Sequence, residues 1–170
     1  MTTAPHLHQP ASVRPFVSAD AAWFDAAYQL YLHDLSEFGG AYQLDDSGVW
    51  QPDYRAFWRD PTTTGSVWIF EWGRARVGFA CTGAGDFPYK SDQCDVRLAE
   101  FFILRGARRL GVGGQAAASL FRRIPGLWEL AVLHENAGAL AFWRAFLNQC
   151  DGLKEIAGAE DVVFRFQSVS

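Results

Sequence analysis

The sequence predicts an α/β (α+β) fold in which helices flank one central mixed sheet that is mostly antiparallel. Two observations lead to this prediction. Residues 95–104 and 128–133 are strand-like and are joined through a helix-like segment, and a crossover of this kind pairs two strands in parallel. Residues 66–72 and 75–82 read as two strands around a tight turn, which predicts a β-hairpin.

The length and composition fit one globular domain. A chain of 170 residues with 49% hydrophobic residues can bury its own core, so residues 1–170 are expected to form a single domain. Residues 1–11 are polar and are expected to be a flexible N-terminal tail. The tail contains His6 and His8, but two histidines in a frayed terminus are weak support for a metal site, and none is predicted.

Charge and cysteine content limit the function classes. The net charge of −4 argues against nucleic-acid and anionic-membrane binders, which need a basic surface, and it suits an amine substrate. The three cysteines are odd in number and lack metal-like spacing, so neither a disulfide framework nor a zinc site is expected. Neither a membrane span nor an export signal is recognisable, and we expect a cytoplasmic protein.

The N-terminal half predicts an edge strand, a helix and an aromatic segment. Residues 12–17 alternate well enough for a strand, and Pro15 places that strand at the edge of the sheet, because proline cannot donate to a neighbour. Residues 21–38 have apolar side chains at spacings of three and four, which predicts a helix with one buried face. Residues 42–60 are rich in aromatic rings and include a short helical stretch, residues 52–59.

The C-terminal half predicts two helices and a final strand. A loop over residues 83–92 precedes the first of the two parallel strands. The crossover helix covers residues 114–123, and a further helix covers residues 137–147. Residues 161–166 form a last strand, antiparallel to its neighbours.

A basic, glycine-rich turn joins the first parallel strand to the crossover helix. It consists of Arg108, Arg109, Leu110, Gly111, Val112, Gly113 and Gly114. The glycines let a ligand approach the backbone, and the free N–H groups of the next helix face the turn. Phosphate is the natural occupant of such a site. The turn matches neither the Walker P-loop nor the dinucleotide fingerprint, so another phosphate ligand is required.

Two motifs in this order resemble those of the GNAT superfamily of acyl-CoA-dependent N-acyltransferases. The first is similar to the family's Q/R-x-x-G-x-G/A and reads Arg108-x-x-Gly111-x-Gly113. The second is similar to the family's N-x-x-A-x-x-F-Y and reads Asn136-x-x-Ala139-x-x-Phe142-Trp143. The resemblance covers residues 66–147, about half of the chain.

The resemblance implies how an acyl-CoA would bind. In GNAT domains two parallel strands of the sheet splay apart, and the pantetheine arm of acetyl-CoA, or of another acyl-CoA, lies in the opening. The main-chain groups of Ile103 would pair with that arm. The pyrophosphate would lie on the amides of residues 109–114, with charge from Arg108 or Arg109. Asn136 would bind the arm, cap the next helix, or do both.

Acyl transfer to an amine needs a neutral nucleophile, and Glu100 is the candidate base. An alkylamine is almost entirely protonated at pH 7, so a carboxylate that accepts its proton, here through water, is useful. The alternative is that Glu100 is a solvated or ion-paired strand residue. His134 is a second candidate base, unless it only closes the end of its strand. No metal ion is implied.

Trp143 occupies the position at which the family often has a tyrosine that protonates the departing thiolate. An indole N–H can donate a hydrogen bond but cannot act as an acid near neutral pH. A thiolate of pKa about 8.5 leaves without help, so Trp143 does not exclude catalysis. Trp143 either walls the thiol end of the cofactor site or packs in the core.

The function that these features predict is N-acetyl transfer from acetyl-CoA to the primary amine of a small molecule, by direct attack. The aromatic residues 42–60 would either help to shape the acceptor site or belong to the core. Two alternatives stay open: a non-catalytic acyl-CoA-binding sensor or regulatory module of the same fold, and a nucleotide-phosphate binder of another fold. No nucleic-acid or membrane partner is expected, and the many aromatic residues are compatible with a homodimer.

Overall fold

The computed structural model describes residues 10–168. Of the predicted tail, residues 1–9 with their two histidines lie outside the described residues, whereas Ala11 already begins a strand. The helices are α1 (Ala21–Leu35), α2 (Arg55–Arg59), α3 (Val112–Arg123) and α4 (Ala137–Leu147). The strands are β1 (Ala11–Pro15), β2 (Gln43–Leu44), β3 (Trp50–Gln51), β4 (Gly65–Trp72), β5 (Ala75–Ala84), β6 (Val96–Ile103), β7 (Leu127–Leu133), β8 (Lys154–Ala157) and β9 (Asp161–Gln167).

Seven of these strands form one mixed sheet. Its order is β1-β4-β5-β6-β7-β9-β8; β6 and β7 are parallel, and the other neighbouring pairs are antiparallel. β2 and β3 form a separate ribbon. The predicted α/β (α+β) class, the β4-β5 hairpin and the parallel crossover through α3 are confirmed, and β1 is an edge strand as Pro15 predicts.

The structure corrects several predicted bounds. α1 ends at Leu35 and continues as a 3-10 turn, Ser36–Phe38, instead of running on as one helix. α3 begins at Val112, two residues before the predicted start, because Gly111 with φ 78° serves as its N-cap. The strands β2, β3 and β8 are missing from the sequence-based prediction. They are short and none of their residues is buried, so they lack the alternation that marks a strand.

The sheet separates two hydrophobic clusters. α3 and α4 cover one face, where Phe121 and Trp128 are fully buried. α1 and α2 cover the other face, around Phe24. Successive residues of the central strands alternate between the clusters, as strand geometry requires: Phe79 belongs to the α1/α2 cluster and Ala80 to the α3/α4 cluster.

The parallel strands β6 and β7 diverge along their length. They are paired through Val96–Leu98 and Trp128–Leu130, and within the described residues they share no backbone pair beyond this point. β6 stays on β5, and β7 stays on β9. The sheet therefore opens as a V between residues 99–103 and 131–133, which confirms the splayed pair that the GNAT resemblance implies.

A buried carboxylate holds the closed end of the V together. Glu129 of β7 is 3% exposed and pairs with Arg97 of β6 at 2.6 Å and Arg165 of β9 at 2.7 Å. It also accepts a hydrogen bond from the Ser91 hydroxyl at 2.9 Å. Burial alone would raise the pKa of Glu129, but its hydrogen bonds, that of Arg165 first, lower it. The charged carboxylate thus joins three neighbouring strands.

No helix among residues 10–168 is long and apolar enough to cross a membrane. The same residues contain no cluster of three or more histidine, cysteine, aspartate or glutamate side chains placed to hold a metal ion. The cysteines Cys81, Cys94 and Cys150 are free thiols in buried positions.

Candidate active site

A cavity of about 290 Å³ fills the opening of the V. Its walls include residues 98–101 of β6 and 130–133 of β7, the segments in which the two strands part. Asn136 and Trp143 line the same cavity. Three residues that the sequence singles out, Glu100, Asn136 and Trp143, are therefore brought together in one space.

A β-bulge in β6 decides which way Glu100 points. The register against β5 shifts between Cys81, which pairs with Glu100, and Thr82, which pairs with Leu98, so that Ala99 is an extra residue. Without it, strand alternation would put Glu100 on the same face as Leu98, in the α3/α4 cluster. The bulge turns Glu100 to the face that α1 covers.

Glu100 is a half-buried residue whose carboxylate lies deep among protein atoms and has a perturbed pKa. Burial raises its pKa to about 7, and the hydroxyls of Tyr31 and Tyr28 limit the rise because they stabilise the charged form. The Tyr31 hydroxyl donates a hydrogen bond to Oε2 of Glu100. A carboxylate of pKa about 7 is half ionised near neutral pH, the range in which a general base works best. This environment agrees with the predicted role of Glu100 as the base.

A second cavity, of about 160 Å³, meets the first one at Glu100. The residues that line both are Tyr31, Leu35, Tyr42 and Glu100. The residues that line only the second are Tyr28, Leu32, Pro52 and Tyr54. Glu100 therefore faces two spaces, one between the diverging strands and one beneath the aromatic segment.

One part of the aromatic segment 42–60 packs in the core, and another part lines a cavity. Trp58 is 6% exposed and belongs to the α1/α2 cluster. Tyr42 and Tyr54 line the second cavity, and Tyr42 also packs against the same cluster. The core interpretation thus holds for Trp58, while a role of the segment in shaping the acceptor site stays a prediction.

The backbone of β6 presents main-chain groups to the opening. Along an antiparallel ladder, pairs that exchange hydrogen bonds alternate with pairs that do not. The Leu104 N–H donates to the Val77 carbonyl at 2.8 Å, so Leu104 and Val77 are a hydrogen-bonded pair and the adjacent pair, Ile103 and Gly78, is not. The main-chain groups of Ile103, and by the same alternation those of Phe101, point away from β5 and into the opening. This is the free edge that the predicted role of Ile103 requires.

Arg108 ties the end of β6 to α1. Its Nε donates to the Ile103 carbonyl at 2.7 Å, so of the outward groups of Ile103 the N–H is the one without a protein partner at this edge. The guanidinium also pairs with Asp34 of α1, a carboxylate that it shares with Arg105. Arg109 is exposed and has no ion pair among residues 10–168. Of the two cations predicted for the phosphates, Arg109 is therefore the freer one.

The turn before α3 has the geometry of an anion site. Arg109 and Gly111 have φ values of 62° and 78°, in the left-handed region that glycine adopts freely and arginine only with strain. The first amide of α3 that bonds back is that of Gln115, which donates to the Gly111 carbonyl at 3.1 Å. The amides of residues 112–114 precede that bond and are available to a ligand.

The side chains of the turn divide between surface and interior. Leu110 is 49% exposed, whereas Val112 is 1% exposed and packs beneath the turn. A Cβ on Gly113 would lie 3.5 Å from the Phe142 ring, so α4 approaches α3 closely at this point. Leu110 and Val112 can therefore take part in phosphate binding only through their main chains.

Asn136 caps α4 as predicted. Its Oδ1 accepts a hydrogen bond from the Ala139 N–H at 3.0 Å, and the residue also lines the cavity in the V. Because the cap uses the oxygen, the amide nitrogen is left for a ligand in that cavity. The two roles predicted for Asn136 are therefore compatible.

Trp143 and His134 both have structural surroundings. Trp143 is 5% exposed, packs edge to face on Phe101 with ring centroids 5.0 Å apart, and lines the cavity in the V. It belongs to the core and walls the cavity at once. His134 is at the surface with Nε2 3.0 Å from the Gly158 carbonyl, and it lines neither cavity. This position agrees with a role in closing the end of β7.

Sequence reasoning missed the tyrosines that gather around Glu100. Four of the five tyrosines in the chain line the second cavity, and all four lie within residues 28–54. Tyr28 and Tyr31 are three residues apart on α1, a spacing that is equally typical of a core stripe. The signal that could have found them is the concentration of tyrosines in one short part of the chain.

The fold matches solved acetyltransferase structures. An acetyltransferase from Thermus thermophilus has a TM-score of 0.64 and 19% identity, over 94% of this chain and 97% of that chain. An acetyltransferase of the GNAT family from Streptococcus agalactiae has a TM-score of 0.63 and 9% identity, over 94% and 96%. The PaiA N-acetyltransferase from Thermoplasma acidophilum, solved in complex with coenzyme A, has a TM-score of 0.58 and 9% identity, over 92% and 98%.

These likenesses establish the architecture. No protein-family model and no curated protein matches the sequence. Identities this low show a shared fold, while the reaction depends on the site. The chain therefore has the GNAT fold over nearly its whole length, and the alternative of a phosphate binder with another fold is wrong.

Proposed function

We propose that the protein is an acyl-CoA-dependent N-acyltransferase that transfers an acetyl group from acetyl-CoA to the primary amine of a small molecule. The observation that carries the proposal is the position of Glu100. A carboxylate of pKa about 7 lies where the cavity in the V meets the tyrosine-lined cavity. The two spaces would hold the two substrates of a bimolecular transfer next to one base.

The residues around the opening fit an acyl-CoA. The free amides of residues 112–114 and the exposed cation of Arg109 suit a pyrophosphate. The outward carbonyl of Phe101 and the N–H of Ile103 suit the amides of a pantetheine arm, which can add to the edge of β6 as an extended peptide would. The amide nitrogen of Asn136 supplies a further donor.

Glu100 would accept the proton that the acceptor amine must lose. An alkylamine has a pKa of about 10.4, so only roughly one molecule in a few thousand is neutral at pH 7. The ammonium would first lose a proton to the ionised Glu100, directly or through water, and the neutral nitrogen would then attack the thioester carbonyl. The nitrogen loses its second proton as the tetrahedral intermediate collapses, and the departing thiolate can take that proton up. Tyr31 is a positioning residue here, because its hydroxyl fixes one oxygen of the carboxylate.

The rest of the transfer needs little from side chains. As the thioester carbon is attacked, its oxygen gains negative charge, and the outward N–H of Phe101 is a donor in the opening that would stabilise this charge. The departing thiolate has a pKa of about 8.5 and needs no protein acid. The presence of Trp143 in place of a phenol is therefore compatible with turnover.

A non-catalytic acyl-CoA sensor of the same fold is the second candidate function. The observation in its favour is Trp143, a buried indole at the position of the usual tyrosine acid. A sensor would bind acetyl-CoA through the same turn and strand edge. It would release no thiol with any amine.

The test is the release of free CoA thiol from acetyl-CoA with a panel of primary amines. We expect amine-dependent release, and we expect Glu100→Gln to lower kcat/KM at least 100-fold while the Kd of acetyl-CoA stays within about threefold. The wild-type kcat/KM should rise as pH increases through about 7, since the base must be ionised. The variant should lack the inflection near pH 7, because its residual kcat/KM depends only on the fraction of amine that is neutral.

Glu160→Gln is the matched control, because Glu160 is exposed and lines neither cavity. An E100Q enzyme with the kcat/KM of the wild type would contradict the assigned base. Binding of acetyl-CoA without thiol release across the whole panel would support the sensor instead.

A further inference from the structure

The tyrosine-lined cavity contains one ionisable carboxylate and, among the residues that the structure describes, no cationic side chain. Four tyrosines, two leucines and a proline surround Glu100 in it. Burial and the neighbouring Glu100 raise the pKa values of Tyr28, Tyr31 and Tyr42 above the usual tyrosine range. The phenols therefore stay neutral at physiological pH, and the charge that the described walls of this cavity supply is negative.

The cavity limits the size of its occupant. Its volume of about 160 Å³ is below the roughly 300 Å³ at which sites for drug-sized ligands begin. Tyr54 in its wall is 45% exposed, whereas Tyr28 is fully buried. The space is thus open beside Tyr54 and closed at Tyr28, which suits a compact molecule.

An ammonium group finds partners in this cavity. The faces of tyrosine rings attract cations, and Glu100 supplies the opposite charge. The buried hydroxyl of Tyr28 makes no hydrogen bond within the usual limits among the described residues. It lies close enough to Glu100 to lower the pKa of that carboxyl, and the Trp58 indole lies close enough to lower the pKa of Tyr28. An ammonium group has three donors and could satisfy both Tyr28 and Glu100.

If the amine in this cavity also carried an anionic group, that group would meet only unfavourable surroundings. A carboxylate or phosphate would share the cavity with Glu100, and no cation within residues 10–168 lines its walls. The arginine whose charge acts on Glu100 is Arg97, and it is already paired with Glu129 at 2.6 Å. An uncompensated anion in such surroundings is strongly disfavoured.

We propose, on the basis of the function proposed above, that the acceptor is a compact apolar monoamine. It is an arylalkylamine or alkylamine whose ammonium is its only charged group, and amino acids and phosphorylated amines are excluded. The tyrosine rings contact its hydrocarbon part, and Glu100 and Tyr28 contact its nitrogen.

The test compares three amines that share one aromatic side chain. The first is 2-phenylethylamine, the second is phenylalanine, which adds a carboxylate, and the third is phenylalanine methyl ester, which keeps the added bulk without the charge. We expect the kcat/KM of thiol release from acetyl-CoA to be at least 100-fold lower for phenylalanine than for 2-phenylethylamine. The ester should recover to within about tenfold of 2-phenylethylamine.

A charge-introducing variant tests the same inference from the side of the protein. Tyr54→Arg places a cation at the exposed wall of the cavity and should raise kcat/KM for phenylalanine at least tenfold while lowering it for 2-phenylethylamine. Tyr89→Arg is the control, because Tyr89 is 67% exposed and is the tyrosine that does not line the cavity. It should leave both values within about twofold of the wild type.

The outcomes separate this inference from the proposed function. Equal kcat/KM for phenylalanine and 2-phenylethylamine would overturn the inference and leave the transferase function intact, and so would an ester as poor as phenylalanine. If no amine releases thiol, the transferase function fails. The acceptor class is then decided by melting temperature with acetyl-CoA present: a rise with 2-phenylethylamine alone supports it, and an equal or greater rise with phenylalanine overturns it.

Discussion

At Glu100 the burial that favours catalysis also costs stability. Burial raises the pKa of this carboxyl from the ordinary 4.5 to about 7 in the folded protein. Below about pH 4.5 both the folded and the unfolded chain are protonated here, and the cost is absent. Between about 4.5 and 7 the unfolded chain ionises first, so the free energy of unfolding falls as pH rises. At 1.36 kcal/mol per pKa unit, the loss is complete above pH 7 at about 3 kcal/mol.

We expect Glu100→Gln to escape this loss, because the amide does not ionise. Relative to the wild type, the variant should gain about 3 kcal/mol in the free energy of unfolding between pH 4.5 and pH 8. Urea denaturation of both proteins at the two pH values measures the difference, and Glu160→Gln should show none. If the curve of Glu100→Gln ran parallel to that of the wild type, the raised pKa would be wrong.

Asn136 combines a cap with a free amide nitrogen, and two substitutions separate these roles. Asn136→Ala removes the hydrogen bond to the Ala139 N–H and should cost about 1 kcal/mol in the free energy of unfolding. Asn136→Ser keeps a capping oxygen and should cost only a few tenths of that. Both lack the amide donor, so both should weaken acetyl-CoA binding in titration calorimetry. A serine variant with the Kd of the wild type would leave Asn136 as a cap alone.

At the scale of single residues, the candidate role of a side chain was more predictable than the residues that contact it. Residue type and motif position were enough to predict the cap at Asn136 and to single out Glu100 as a carboxylate in an apolar strand. The phenol of Tyr31 is 69 positions away from Glu100 in the chain, so no local pattern could join them. For the same reason, the contact between Arg108 and Asp34 could not be predicted.

At the scale of elements, the edge of β6 depends on a close approach of β5. A Cβ added to Gly78 would collide with the carbonyl oxygen of Phe102 and would also touch Ile103 at 3.0 Å. Gly78→Ala should therefore push the strands apart, lower the free energy of unfolding by about 1–3 kcal/mol, and weaken acetyl-CoA binding through the displaced strand edge. Melting temperature and calorimetric titration measure the two effects.

Gly106→Ala is the control for this element, because a Cβ on Gly106 would meet nothing within 4 Å. It should change the free energy of unfolding by less than about 0.5 kcal/mol. A Gly78→Ala protein as stable as Gly106→Ala would show that β5 and β6 can separate without cost.

Elements with a buried face and a marked start were predictable, and exposed ones were not. α4 has the predicted bounds, Ala137–Leu147, because an asparagine cap precedes a helical apolar pattern. β8 has four exposed residues and only its pairing with β9 makes it a strand. The bulge at Ala99 leaves no mark in the residue pattern either, since Ala99 and Glu100 fit a regular strand equally well.

At the scale of the whole molecule, the V depends on the ion pairs at its closed end. Glu129→Gln would leave Arg97 and Arg165, which are 19% and 20% exposed, without their shared carboxylate. Breaking a buried pair from one side is costly, and we expect a loss of about 3 kcal/mol in the free energy of unfolding. Chemical denaturation measures it.

The control is Glu155→Gln, which breaks the exposed pair with Arg144. Exposed pairs contribute little, so a change below about 1 kcal/mol is expected. If the two substitutions had equal effects, the network at the closed end would not be what holds the three strands together.

The overall architecture was predictable because the sequence patterns that indicate it are local. The buried ion pairs join residues that are far apart in the chain, and they were not predictable. Strand, turn and helix follow one another along the chain, and the motif order implied the splayed pair. Glu129 lies 32 and 36 positions from its two arginines, and the sequence around Glu129 does not indicate that they are its partners. Contacts of this kind become visible only once β6, β7 and β9 are neighbours.

Because Ala99 is an extra residue, even-numbered residues in the first half of β6 and odd-numbered residues in the second half point to the same face of the sheet. Val96 and Leu98 lie in the same cluster as Ile103, so counting by twos from either end gives contradictory faces in the middle. Deleting or inserting one residue near Ala99 would therefore exchange the inside and outside of one half of the strand while leaving its composition nearly unchanged. What keeps the carboxylate of Glu100 beside the tyrosines is the number of residues that separate it from each end of β6.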